Sequence, residues 1–287
     1  MKTAPFSSFK HPSSALPVLA LLALAWGFMV FGHDYIGRTL ANSWDINARQ
    51  AFNARFTVIG GVMGAVFLVV CLIATLRSGR FIIQKLAYFG LTAVLALLAF
   101  KYLLVVNSEI MHFPQYALVA VLVYVLLGNF PETLFFTIFL GILDEAYQFF
   151  VLAPEKTSYV DFNDMWLNAI GGAIGLLIAG SLLPRRLAPK SRYLSPRSPV
   201  VITIIMTTLV VALLFFTGIL GYQYTPGGPD KYYLMRQTLD TFWTKADFQV
   251  TYHIVRPLEG LIGLCLIWAA YLPMERLFVV ENAESDT

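Results

Sequence analysis

Long apolar runs alternate with short polar connections along this chain, and that alternation leaves few folds open to it. Eight runs of roughly 17 to 23 residues, the length a helix needs to cross a bilayer core, fall at about 15–31, 56–76, 81–103, 112–128, 133–152, 164–183, 199–221 and 254–273. In hydrocarbon a lone segment must satisfy its own backbone N–H and C=O groups, so such runs predict helices. The expected fold is all-α, a polytopic transmembrane bundle of about eight spans forming one integral membrane domain over 1–287. Only 13% of residues are charged, against about 25% in soluble domains. The first run follows Lys2 and Lys10 and is longer than a usual signal-peptide core, which predicts a retained anchor.

The net charge of +3 does not point to nucleic acid, because the basic residues are scattered over the connections. Their distribution sets orientation instead. Arg185, Arg186, Lys190, Arg192 and Arg197 crowd the connection 184–198, and Arg77 and Arg80 the turn 77–80, whereas 104–111 and 153–163 carry only Lys156. By the positive-inside rule the first two connections are cytoplasmic. Both termini are then expected inside, in the cytoplasmic membrane of a bacterium. Residues 32–55 read as a long outer loop. Residues 222–253 open on a Tyr-Thr-Pro-Gly-Gly-Pro turn signal, and 231–248 read as an aromatic-rich interfacial helix or as a lid. Cys71 and Cys265 lie inside apolar runs and read as small buried residues rather than a disulfide.

Three polar clusters interrupt the apolar runs: Glu109/His112/Tyr116, Asp144/Glu145/Gln148 and Asp161/Asp164/Asn168. A charged side chain at the centre of a spanning helix costs about 2.5–3.5 kcal/mol on insertion scales, so such residues point to function. Within each cluster the offsets are three or four residues, which puts the side chains on one helix face. Hairpin topology brings the clusters to one membrane face. The chain passes Glu109 and His112, descends, turns at Asn129–Glu132, and returns to Asp144, Glu145 and Gln148. It then re-enters at Asp164 and Asn168. Gly171, Gly172 and Gly175 follow and would let this helix approach its neighbours closely.

The run Glu109-Ile-Met-His112-Phe-Pro-Gln-Tyr116, then Asp144-Glu145-Ala-Tyr-Gln148, then Pro154, then Asp164-Met-Trp-Leu-Asn168-Ala-Ile-Gly171 resembles the VanZ-like family of bacterial membrane proteins in order and spacing. The match covers roughly 81–183, a core flanked by helix pairs at 15–76 and 199–273. Two positions depart from the pattern. Ser108-Glu109 stands where the family often has Asp-Lys, and Lys156 stands near the place of an Arg after the Pro. Lysine lacks the bidentate fork of arginine. The resemblance implies a link to resistance against lipoglycopeptides of the teicoplanin type, with no settled biochemical activity.

The site can be read three ways. It could bind or shield a membrane lipid or lipid-linked envelope component. It could be a membrane-embedded enzyme, a hydrolase or transferase using activated water. There Glu109, His112, Asp144 and Glu145 would carry proton transfer, and Tyr116, Gln148, Asp164 and Asn168 would hold substrate. It could also be a proton-coupled transporter, although the clusters gather at one face rather than at the midplane. Glu109-x-x-His112 has the spacing of bundle metal sites, with Asp144, Glu145 and Asp164 as further oxygen donors. Di-metal bundles use two such motifs, so the sequence alone assigns no metal and no cofactor.

Overall fold

The computed structural model describes residues 15–43, 46–78, 81–104, 107–152, 158–183, 193–228, 231–237, 239, 241–245 and 251–278. In chain order its helices are α1 (Leu16–Ser43), α2 (Ile46–Ser78), α3 (Ile82–Tyr102), α4 (His112–Leu127), α5 (Phe130–Tyr147), α6 (Phe162–Leu182), α7 (Pro199–Phe216), α8 (Pro257–Tyr271) and the short α9 (Glu275–Phe278). Among the described residues seven helical segments are long and apolar enough to cross a membrane, and the apolar part of α1, Leu16–Gly32, is shorter. The helical fold expected from the apolar runs is therefore present.

Local chemistry explains where these helices start and stop. Gly128 ends α4 in the left-handed conformation, with φ of 74°. Asn129 then caps α5: its Oδ1 accepts from Glu132 N at 2.9 Å while its Nδ2 donates to Glu132 Oε2 at 2.9 Å. Pro131 sits in the first turn, where its missing N–H costs nothing. This is the tight turn expected at Asn129–Glu132, and it fixes α4 and α5 as an antiparallel pair.

Helix α6 lies at the centre of the bundle, packed by α3, α4, α5 and α8. Gly171 and Gly175 face α4, and Gly172 faces Thr137 and Leu134 of α5, so the glycine run admits two neighbours on adjoining faces. Helix α8 supplies glycines in return: Gly260 lies under the Phe162 ring and Gly263 under Trp166, whose Nε1 donates to Gly260 O at 3.1 Å. Helices α2 and α7 expose most of their apolar side chains, the pattern of a lipid-facing surface. Both cysteines are free thiols; Cys71 is buried as expected, but Cys265, also expected to be buried, is exposed on α8 because an apolar residue on a bundle's outer face needs no protein cover.

Two larger expectations fail as well. Residues 32–55 are not a long loop, because α1 runs to Ser43 and α2 begins at Ile46. Polar residues there lower hydropathy without breaking helix, and α2, with 33 residues, reaches about 50 Å. Nor do residues 231–248 form an interfacial helix. They contain β2 (Tyr232–Met235), which pairs in parallel with β1 (Leu220–Gln223), and β3 (Trp243–Lys245), which pairs antiparallel with β4 (Thr251–His253). The reason is tertiary. Strand β2 is held on its other edge by the segment entering α6, where Val160 N donates to Leu234 O at 2.9 Å and Arg236 N to Ser158 O at 2.7 Å. Aromatic residues such as Tyr232, Tyr233 and Trp243 suit strands once edge partners exist.

Candidate functional site

The polar clusters converge where α4 begins, α5 ends and α6 begins. His112, Asp144, Glu145 and Asn168 expose 2%, 2%, 3% and 0% of their surface, and Tyr116 is fully buried. Two hydrogen-bonded arms meet there. In the first, Asp144 accepts from both sides: the Tyr116 hydroxyl donates to Oδ2 at 2.8 Å, and Gln148 Nε2 donates to Oδ1 at 2.9 Å. In the second, Asn168 bridges two helices. Its Nδ2 donates to Glu145 Oε1 at 3.3 Å, and its Oδ1 lies 2.8 Å from His112 Nδ1.

That bridge fixes the histidine tautomer. Because the Asn168 amide nitrogen is turned to Glu145, its oxygen faces the ring and must accept, so His112 carries a proton on Nδ1. In the neutral ring Nε2 then presents its lone pair toward Asp164, whose Oδ2 is 3.5 Å away. One ligand atom each from His112, Glu145 and Asp164 lie within 4.8 Å of one another. Among the described residues neither Asp144, Glu145 nor Asp164 forms an ion pair with Lys or Arg.

Backbone packing holds the arms in register. Gly141, four residues before Glu145, lets α5 approach Asn168 Cβ and the Tyr116 ring, and Gly171 faces the carbonyls of His112 and Phe113. On the far side of Tyr116, helix α1 contributes Met29 to the same apolar cluster, and Trp26 Nε1 donates to Leu140 O at 3.3 Å. A first prediction follows. Tyr116→Phe keeps the packing but removes one of the two donors to a buried carboxylate, and should lower stability by about 1–2 kcal/mol. Thermal unfolding in detergent checks this, and a midpoint equal to wild type would mean that the bond contributes nothing.

The sequence grouped Asp144 and Glu145 as both reaching Gln148. The structure separates them: Asp144 turns to Tyr116 and Gln148, Glu145 to Asn168. Neighbours on a helix point about 100° apart, so an adjacent pair serves two different partners. Glu109 lies on a single 3-10 turn, Asn107–Met111, half-buried and outside the His112–Glu145–Asp164 triad. Its charge acts on Tyr159, whose hydroxyl is pushed up first by burial and then by Asp161, Tyr252 and Glu109. Asp161 caps α6, its Oδ1 accepting from Asp164 N at 3.1 Å. Burial, and after it the Asp164 charge, push the Asp161 carboxyl up to about 7 against the pull of backbone N–H groups and His112. Pro154 and Lys156 lie outside the described residues.

Sequence reasoning missed Asn163. Its Nδ2 donates to Leu103 O at 2.8 Å and to His253 O at 2.7 Å, and its Oδ1 accepts from Val255 N at 2.8 Å. It ties the end of α3, strand β4 and the entry to α8 to the start of α6, beside the site. Arg236, also missed, stacks on the Phe149 ring at 4.0 Å and donates to Phe149 O at 3.3 Å, next to Gln148. His253 stacks on Phe242 and bonds Glu259 at 3.1 Å, while Glu259 caps α8.

No family model, no curated protein and no solved structure matches this chain.

Proposed function

We propose that this chain is a VanZ-like multi-pass protein of the bacterial cytoplasmic membrane, with one site at the outer face for a lipid or lipid-linked envelope component. One observation carries the reading. The three motif elements, on three consecutive helices, supply His112, Asp144, Glu145, Gln148, Asp164 and Asn168 to a single buried constellation. The outer assignment rests on the scarcity of Lys and Arg in 104–111 and 153–163 against their abundance in 184–198. The role is to bind or shield that component, lowering its access to teicoplanin-type lipoglycopeptides.

A second reading, a hydrolase or transferase, is favoured by the fixed tautomer of His112, which turns a basic nitrogen toward the Asp164 carboxylate. There a water proton passes to the site while its oxygen bonds to the substrate's acyl or phosphoryl centre. The leaving group departs with a proton from the site.

The test expresses wild type, Asn168→Leu and Asp144→Asn at matched membrane levels in a susceptible bacterium, with lipoglycopeptide sensitivity and envelope lipid composition read together. Wild type should lower sensitivity severalfold and both variants should lose that effect. An unchanged lipid profile supports binding or shielding, and new lipid species that vanish in both variants support the enzyme. If wild type and variants match the empty vector in both readouts, the proposal fails.

A further inference from the structure

The His112–Glu145–Asp164 cluster has the composition and the dimensions of a cation site. One imidazole nitrogen and two carboxylates are a donor set for borderline divalent ions. Around a tetrahedral ion with bonds of about 2.1 Å, neighbouring ligand atoms are about 3.4 Å apart. His112 Nε2 and Asp164 Oδ2 stand at 3.5 Å, and donor atoms of His112, Glu145 and Asp164 all lie within 4.8 Å of one another.

Two further observations point to a cation. The first is the Nδ1–H of His112 held by Asn168. Metal-binding histidines commonly donate their other ring N–H to an oxygen in this way, fixing the tautomer that aims the free lone pair at the ion. With Nδ1 protonated, the Nε2 lone pair of the neutral ring faces a carboxylate oxygen. Two acceptors face each other there, an arrangement that a positive charge between them turns from repulsive to attractive. The second is charge balance. Asp144, Glu145 and Asp164 gather in membrane-spanning helices, and among the described residues none pairs with Lys or Arg. Uncompensated buried carboxylates are costly there, and a dication offsets two of them.

We infer that His112, Glu145 and Asp164 bind one divalent transition-metal ion of the Zn2+ class, with Asn168 as the positioning residue for the imidazole. This deepens the reading of the constellation as the functional site, and names a cofactor for it. The three protein ligands would leave a fourth position for water or a headgroup oxygen.

The experiment uses the full chain in mild detergent, stripped with chelator and titrated with Zn2+, and with Co2+ as a coloured substitute. Wild type should take up about one equivalent per chain, gain visible cobalt ligand-field bands, and unfold at a higher temperature with Zn2+ present. Asn168→Leu should weaken uptake about 10–100-fold. His112→Gln, Glu145→Gln and Asp164→Asn should weaken it further, and Glu145→Gln is nearly isosteric, so folding can be held constant by size-exclusion profile. His253→Gln should leave uptake unchanged, separating this site from the partly buried His253–Glu259 pair. Wild type that elutes as a single species yet binds no stoichiometric metal overturns the inference. So does uptake that survives all three ligand replacements, or that His253→Gln removes. If no metal binds but Asn168→Leu still abolishes the envelope phenotype, the metal is wrong and the functional site stands. If metal binds and no variant has a phenotype, the ion is structural and the functional reading fails.

Discussion

Gly175→Ala should destabilise the bundle by about 3 kcal/mol, the upper part of the range for overpacking a well-filled interior. An added Cβ would press directly on Ala117 O and lie 2.7 Å from Ala120 Cβ and 2.9 Å from Ala117 Cα. These are backbone and first-carbon atoms of α4, which cannot rotate away. Relief requires the α4 and α6 axes to separate, and His112 and Asn168 lie on those same two helices. Gly171→Ala presses directly on the carbonyls of His112 and Phe113, at 2.9 and 2.8 Å, so it should also lose the site.

Two other glycines give the contrast that makes this testable. At Gly172 the contacts are side-chain atoms of Thr137 and Leu134 rather than backbone, so Gly172→Ala should cost less than Gly175→Ala. Gly90 in α3 has open space around it. There alanine should be neutral or stabilising by about 0.5–1 kcal/mol through helix propensity. Thermal midpoints of the four variants in one detergent check the order. Equal effects at Gly175 and Gly90 would show that close approach is not what the α6 glycines provide.

Those glycines were legible in the sequence, and so was the site's location, for one physical reason. Within a spanning helix both the backbone pairing and the periodicity are forced, so an offset of three or four residues reports a shared face and a tight turn reports a reversed direction. Asp144–Gln148 is such an i, i+4 pair, and His112 meeting Asn168 needed only the hairpin topology added to it. Side-chain direction across helices is not local. That Asp144 serves Tyr116 while Glu145 serves Asn168 depends on the rotation of α5 against α4 and α6, which Gly141 permits and no pattern announces. Glu109 stands outside the triad although a 3-10 turn also brings i and i+3 side chains onto one face, because the donors grouped with His112 come from α5 and α6, which local spacing does not report.

The polar connections were least legible. Hydropathy ends a span where apolar residues end, whereas a helix ends where its hydrogen bonds do, and α1 and α2 run on through Arg, Asn and Gln for want of a breaker. Strand β2 is held by backbone groups of 158–160, and an edge seventy residues away leaves no local signature. The same reason hid Arg236.

Asn163→Leu should be the other severe substitution, lowering stability by about 3 kcal/mol by leaving Leu103 O, His253 O and Val255 N without their side-chain partner. Its effect should be directional. Since Asn163 joins α6 to the end of α3 and to both sides of the β4–α8 junction, the 217–256 connection should become protease-sensitive before the helices unfold. Asn163→Asp separates hydrogen bonding from packing. Aspartate has the same shape and keeps the acceptor for Val255 N, but it turns an oxygen toward the two carbonyls that the amide nitrogen now serves. If hydrogen bonding is what Asn163 contributes, Asp should be as damaging as Leu at neutral pH despite its closer fit. If Asp behaves as wild type in thermal unfolding and limited proteolysis, the side chain acts by filling space. The join matters to function because Asn163 adjoins Asp164 in the chain. Loosening the start of α6 lets Asp164 drift from His112, so Asn163→Leu should impair both cation uptake and the envelope phenotype without touching a ligand.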